Sequence, residues 1–155
     1  SQDATWTSVS TNSYKPEYRN AGKYSVSIRA VGNGGNIANS EIYAFEQTVD
    51  ALTQPVYDAN MQNKNAFKVE TSGNTITVTV KQQSGATGYK CFVGGIEVSG
   101  APSETDTEVT FTYTMTTPNA EYAVQVQILG GYFAENGTYM LDSNKSTEYT
   151  VEYVI

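Results

Sequence analysis

Three stretches of the chain alternate apolar and polar residues without a break. Ile76, Val78 and Val80 alternate with Thr75, Thr77 and Thr79. Val109, Phe111, Tyr113 and Met115 alternate with Thr110, Thr112 and Thr114. Tyr122, Val124, Val126 and Ile128 alternate with Ala123, Gln125 and Gln127. A period of two sends successive side chains to opposite faces, so each run predicts a strand with one buried and one wetted face. A helix would scatter the same residues around its axis and leave no apolar stripe. The best helical candidate, around Asp50 to Met61, is interrupted by Pro55, which removes a donor and clashes with the preceding turn. Charged residues make up 16% of the chain against 39% hydrophobic ones, so the polar faces are covered mainly by neutral Thr, Ser, Asn and Gln. Abundant aromatic and β-branched residues separate this chain from disordered ones.

The remaining strands follow from the turns. Phe67 to Thr71 precedes the first run, and Ser84 to Gly88 breaks the chain after it. Tyr89 to Val93 then leads into Gly94-Gly95, a two-residue hairpin turn that needs positive φ, and on to Ile96 to Val98. Ser99 to Asp106 reads as loop and Pro118-Asn119 as a turn. Tyr149, Val151, Tyr153 and Ile155 share one face of a last strand. Seven strands between residues 66 and 155 match the size and strand number of an immunoglobulin-like sandwich. Cys91 falls on the same face as Tyr89 and Val93, which makes it a small buried hydrophobe. As the single cysteine it has no partner within the chain for a disulfide.

Residues 20–30 repeat the pattern of residues 119–128. Tyr24, Val26, Ile28 and Ala30 take the places of Tyr122, Val124, Val126 and Ile128, and both runs enter a glycine-rich loop, Gly32 to Gly35 and Gly130-Gly131. In the first case one more strand follows, Glu41 to Val49. The spacing divides the chain into a partial unit at 1–50, a linker at 51–65 and a complete unit at 66–155. Tyr24-x-Val26-x-Ile28-x-Ala30, the stretch Gly85 to Lys90 and the stretch Thr117 to Tyr122 resemble the corresponding strands of fibronectin type III and bacterial immunoglobulin-like domains. The resemblance implies an all-β fold of immunoglobulin-like or fibronectin-type-III-like antiparallel β-sandwich units in tandem. It also implies export to the extracellular space, the cell surface or a virion surface. The first unit would then hold only its C-terminal strands. Upstream strands, strands donated by another chain, or one larger sandwich each account for this, and Trp6 is expected to seal its core.

Chemistry is scarce in these residues. The chain has no histidine, which removes the usual general base, the commonest zinc ligand and every Ser-His or Cys-His pair. Glu97, Glu104, Asp106 and Glu108 sit in or beside a polar loop with nothing to raise their pKa values. Gly32 to Gly35 follows a strand without opening a helix, so it is no dinucleotide fingerprint. The pairs Glu104 with Asp106 and Glu135 with Asp142 lack EF-hand spacing. We therefore expect no catalytic residues, no metal and no cofactor. A net charge of −7 argues against nucleic acid and anionic membranes, which reward clustered Lys and Arg, and no apolar run is long enough to insert in a bilayer.

The richest segment is Gly130 to Ser146. Asn136-Gly137 at its centre signals a hairpin that would set Phe133 opposite Met140 and Tyr132 opposite Leu141. Tyr132, Phe133 and Tyr139 on this hairpin, with Phe92 on the sheet face opposite to Cys91, are the candidate ligand-binding residues. Exposed aromatics suit sugars or proteins, and packing against a neighbouring unit is the equal alternative. The segment also carries two glycosylation sequons, at Asn136 and Asn144. The expected function is an adhesion or spacer module of a bacterial surface or phage structural protein, partnered by protein or glycan. A carbohydrate-binding module is the alternative, and the incomplete first unit invites self-association.

Overall fold

The computed structural model describes residues 6–10, 13–14, 16–133 and 136–155. Among the described residues are thirteen strands and no helix. In chain order these are β1 (Gly22–Ile28), β2 (Tyr43–Ala51), β3 (Val56–Tyr57), β4 (Ala66–Ser72), β5 (Thr75–Lys81), β6 (Gly88–Val93) and β7 (Ile96–Glu97). They continue with β8 (Ser103–Glu104), β9 (Glu108–Thr114), β10 (Glu121–Leu129), β11 (Tyr132–Phe133), β12 (Tyr139–Leu141) and β13 (Tyr149–Glu152). Three sheets result, with orders β3-β4-β5-β9-β8, β13-β10-β6-β7 and β1-β2-β12-β11.

The alternating runs carry the core. Antiparallel pairing sets Val78 beside Phe111 and Val80 beside Val109 in the first sheet. In the second it sets Val124 beside Val93 and Val126 beside Cys91. One hydrophobic cluster takes in residues of both sheets, with Phe67, Val69 and Ile76 from one side and Cys91, Val93, Val124 and Val126 from the other. The threonines of β5 and β9 pair with each other on the opposite face, as a half-buried sheet requires. Gly94 and Gly95 both adopt positive φ, 60° and 79°, in the turn between β6 and β7. At one margin Tyr57 of β3 stacks on Tyr149 of β13, with centroids 3.9 Å apart and rings 12° from parallel. A hydrogen bond to Tyr149, then burial, pushes the Tyr57 phenol up to about 12.

Several expectations change on contact with the structure. The stretch read as a linker, 51–65, contains β3, which runs parallel to β4; Leu52 and Pro55 in the same stretch are buried. The fold is therefore mixed rather than purely antiparallel. Asp58 organises the turn after β3 by accepting hydrogen bonds from the backbone N–H groups of Asn60, Gln62 and Asn63. Those donors, Asn63 first, hold its carboxyl below the ordinary value. The loop at 99–106 contains the short β8, which pairs with β9. Most consequentially, the described part of the first fifty residues forms no sandwich of its own. It contributes the β1–β2 hairpin to a sheet that β12 and β11 complete. Trp6 seals no core: it is 48% exposed, with the Arg29 guanidinium 4.8 Å from its ring centroid.

Cys91 tests the register of β6 directly. It is buried, and burial pushes its thiol up to about 12. We expect thiol reagents to label it slowly in the native protein and rapidly in denaturant. A thiol with a raised pKa favours folding fully below its ordinary pKa of about 8.5. That contribution should fade as pH climbs towards 12, and a denaturation series at alkaline pH would show it. Rapid native labelling would place Cys91 on the outer face.

Candidate functional site

The hairpin, read equally as a binding tip or as a packing element, pairs with the first fifty residues and forms a joint. β12 runs parallel to the end of β2, with Tyr139 beside Val49, Met140 beside Asp50 and Leu141 beside Ala51. The ladder continues when Leu52 N–H donates to the Leu141 carbonyl at 3.0 Å. Gln47 adds a further tie, its Nε2 donating to the Gly137 carbonyl at 2.7 Å. Val49 and Tyr139 are both buried where they meet. Four rings run through the contact in sequence. Tyr24 lies 4.9 Å from Tyr18, Tyr18 lies 5.0 Å from Tyr139, and Tyr139 lies 5.1 Å from Phe133. The last two contacts are edge-to-face, the favoured arrangement of aromatic quadrupoles. Burial, followed by the Tyr139 and Tyr24 hydroxyls, raises the Tyr18 pKa.

The candidate residues therefore separate. Tyr139 is 6% exposed and belongs to the joint, so it offers no free ring. Phe133 keeps 38% of its surface. Tyr132 pairs with Met140 through β11, and its side chain lies outside the described residues. Hairpin pairing is one residue away from the expected register, with Phe133 opposite Tyr139 rather than Met140. The parallel contact with β2 sets Tyr139 beside Val49. Phe92 is likewise covered. The Lys145 ammonium sits 3.8 Å from its ring centroid, and the side chain is buried.

Lys145 lies at the end of the Gly130 to Ser146 segment, beyond the expected hairpin pairs. Ser143 and Ser146 lie beside β10 and do the work of a strand with their hydroxyls. Ser143 N–H donates to the Ile128 carbonyl and Ser146 N–H to the Val126 carbonyl. In return Ile128 N–H donates to Ser143 Oγ at 2.9 Å, and Val126 N–H to Ser146 Oγ at 3.0 Å. Gln127 and Gln125 reach across to the carbonyls of Ser143 and Ser146, each at 2.9 Å. Three residues of this stretch thus span two of β10, the count of a bulge. The signal was present as two serines three apart opposite an alternating strand, but serine hydroxyls serve turns as readily as ladders.

Between β2, the 51–65 stretch and residues 82–84 lies a cleft of about 410 Å³ lined by Asp50, Leu52, Thr53, Lys64, Gln83 and Met140. Its amide is already used: Gln83 Nε2 donates to the Thr53 carbonyl at 2.9 Å, and Thr53 N–H donates to Gln83 Oε1 at 3.2 Å. Among the described residues no group of three or more His, Cys, Asp or Glu gathers in one place. Glu135, weighed above with Asp142 as a loop pair without EF-hand spacing, lies outside them. Asp142 instead accepts a hydrogen bond from Gly130 N–H at 2.7 Å.

No family model matches the chain, and no similarity to a curated protein or a solved structure was found. The geometry therefore stands alone. It describes packing surfaces and hydrogen-bonded joints rather than a cavity with converging reactive groups.

Two substitutions probe the joint. Tyr139→Ala should destabilise the protein by about 3 kcal/mol, the lower end for deleting a buried aromatic ring, while Tyr139→Phe should be nearly neutral. Urea denaturation would measure both, and faster amide exchange at Val49 to Ala51 should accompany the first. Gly130→Ala should damage the same joint by another route. A Cβ there would collide with the Met140 carbonyl and approach the Leu141 carbonyl carbon to 2.8 Å, although Gly130 has no positive φ to explain its presence.

Proposed function

We propose that the chain is a non-catalytic structural module of an extracellular surface, either a spacer or an adhesin segment of a bacterial surface or phage protein. In this reading its compact part is a fibronectin-type-III-like sandwich. The observation that carries the reading is Tyr122 at the start of β10. Its phenol oxygen accepts the backbone N–H groups of Thr117 at 2.8 Å and Thr116 at 3.2 Å, which hold its pKa below the ordinary value. A tyrosine that opens the sixth strand and bonds back across the preceding corner is a hallmark of immunoglobulin-like folds. The sheet orders agree. β4-β5-β9-β8 corresponds to strands ABED, with β3 as an added parallel edge, and β13-β10-β6 to GFC, with β7 as an added edge. The chain departs from antibody domains at strand C, where Cys91 and Phe92 stand with no second cysteine.

A spacer needs stiffness between its segments, and the parallel contact of β2 with β12 supplies it. The absence of histidine from the sequence supports the non-catalytic reading. Its exposed polar surface, low in charge, suits a module that holds its neighbours apart without attracting nucleic acid. The carbohydrate-binding alternative now depends on Phe133, the one candidate ring whose exposed surface is described.

Pulled from its ends by atomic-force microscopy, residues 66–152 should unfold in a single step that releases about 300 Å of chain. Extension without a force peak would rule out the spacer role. On a glycan microarray the protein should give no more signal than its heat-unfolded form. Glycan binding that disappears in Phe133→Ala would replace the spacer reading with the carbohydrate-binding one. Tyr122→Phe should lower the melting temperature while leaving both the strand content and the array result unchanged.

A further inference from the structure

The β1–β2 hairpin has two unlike faces. Register pairs Tyr24 with Gln47, Val26 with Phe45 and Ile28 with Tyr43 on one face, and Lys23 with Thr48, Ser25 with Glu46 and Ser27 with Ala44 on the other. The first face is apolar and carries no charge. Its end near Val49 is covered by the joint with β12 and by Tyr18. Its far end is open: Ile28 is 54% exposed, Tyr43 65% and Phe45 40%. Val31 and Ile37, in the loop that joins the two strands at this end, are also exposed. β1 is the edge of its sheet, and these exposures are what the described residues leave on its face.

We propose that this open end packs face to face against the same end of a second copy of the chain. Tyr43 and Phe45 together expose about one aromatic side chain, roughly 200 Å², and the exposed Ile28, Val31 and Ile37 bring the open end and its loop to about 500 Å² per copy. Two copies reach about 1,000 Å², the lower limit of a specific interface. Stacked sheets lie about 10 Å apart with their side chains interdigitated, and a two-fold axis in the plane of contact brings one uncharged face onto another of equal length. A sugar would leave hydroxyls unpaired over Val26 and Ile28, and a charged partner would find no counter-charge on this face. Pairing edge to edge through β1 would merge two open faces without covering either. The association is separate from the spacer reading, since the exposed face is the same whatever the module does.

Sedimentation velocity from about 1 to 200 μM tests this directly. The wild type should pass from monomer to dimer within that range, with association unchanged or strengthened in 0.5 M salt, because screening relieves repulsion between copies of net charge −7. Phe45→Asp and, as a milder change, Tyr43→Ser should each weaken association at least tenfold. Slow labelling of Cys91 in both variants would show that the compact unit stays folded. A wild type that remains monomeric at 200 μM overturns the proposal, and so does a monomer whose arm binds a hydrophobic dye, because another occupant must then cover the face. A dimer that salt dissociates, or that both variants preserve, overturns it as well.

Discussion

Val78, Val80 and Phe111 on one sheet and Cys91, Val124 and Val126 on another are dry only because the two sheets face each other. Each side chain of this kind gains about 1.5–3 kcal/mol from leaving water, and none can gain it on a single sheet. The rest of the structure serves that juxtaposition. Tyr57 and Tyr149 clasp the two sheets at one margin, and Tyr122 pins the corner by which the chain leaves β9 for β10. The threonine ladders of β5 and β9 can face outward because valine, isoleucine and phenylalanine have claimed the inner face.

That pairing leaves the outer side of β10 and β6 to be finished by other means, and the 143–146 stretch does so. A regular strand there would have continued β13 upwards along β10. Instead, the hydroxyls of Ser143 and Ser146 accept the N–H groups that a strand's carbonyls would have taken. The bulge raises the chain so that Lys145 crosses Phe92. Just before it, residues 139–141 pair with β2.

The sequence was most legible where one face of a strand meets the core. β5, β9 and β10 could be read within a residue or so, because an alternating run has only one register that buries its apolar set. Cys91 could be placed by the same rule. Legibility failed where the partner of a strand lay far along the chain. Asn136-Gly137 suggested one hairpin register, but contact with β2 selected its neighbour, a tertiary demand invisible to turn chemistry. Parallel β3 escaped notice because two residues in a stretch of Gln, Asn, Pro and Asp carry no period. Alternation puts Phe92 on the face opposite Cys91, but whether that face is open depends on where Lys145 arrives.

The repeated motif makes the same point within one molecule. Tyr122, Val124, Val126 and Ile128 and their counterparts Tyr24, Val26 and Ile28 have nearly the same pattern, and pattern alone assigns both sets an inward face. In β10 a second sheet meets that face, and Val124, Val126 and Ile128 lose all contact with solvent. In β1 the cover stops part-way: on the apolar face Tyr24 and Val26 are half-buried and Ile28 is exposed. Alternation thus records a demand for burial and its direction. Whether the demand is met is decided by chain far away in sequence, and in β1 the unmet half leaves Ile28, with Phe45 and Tyr43 of β2, exposed.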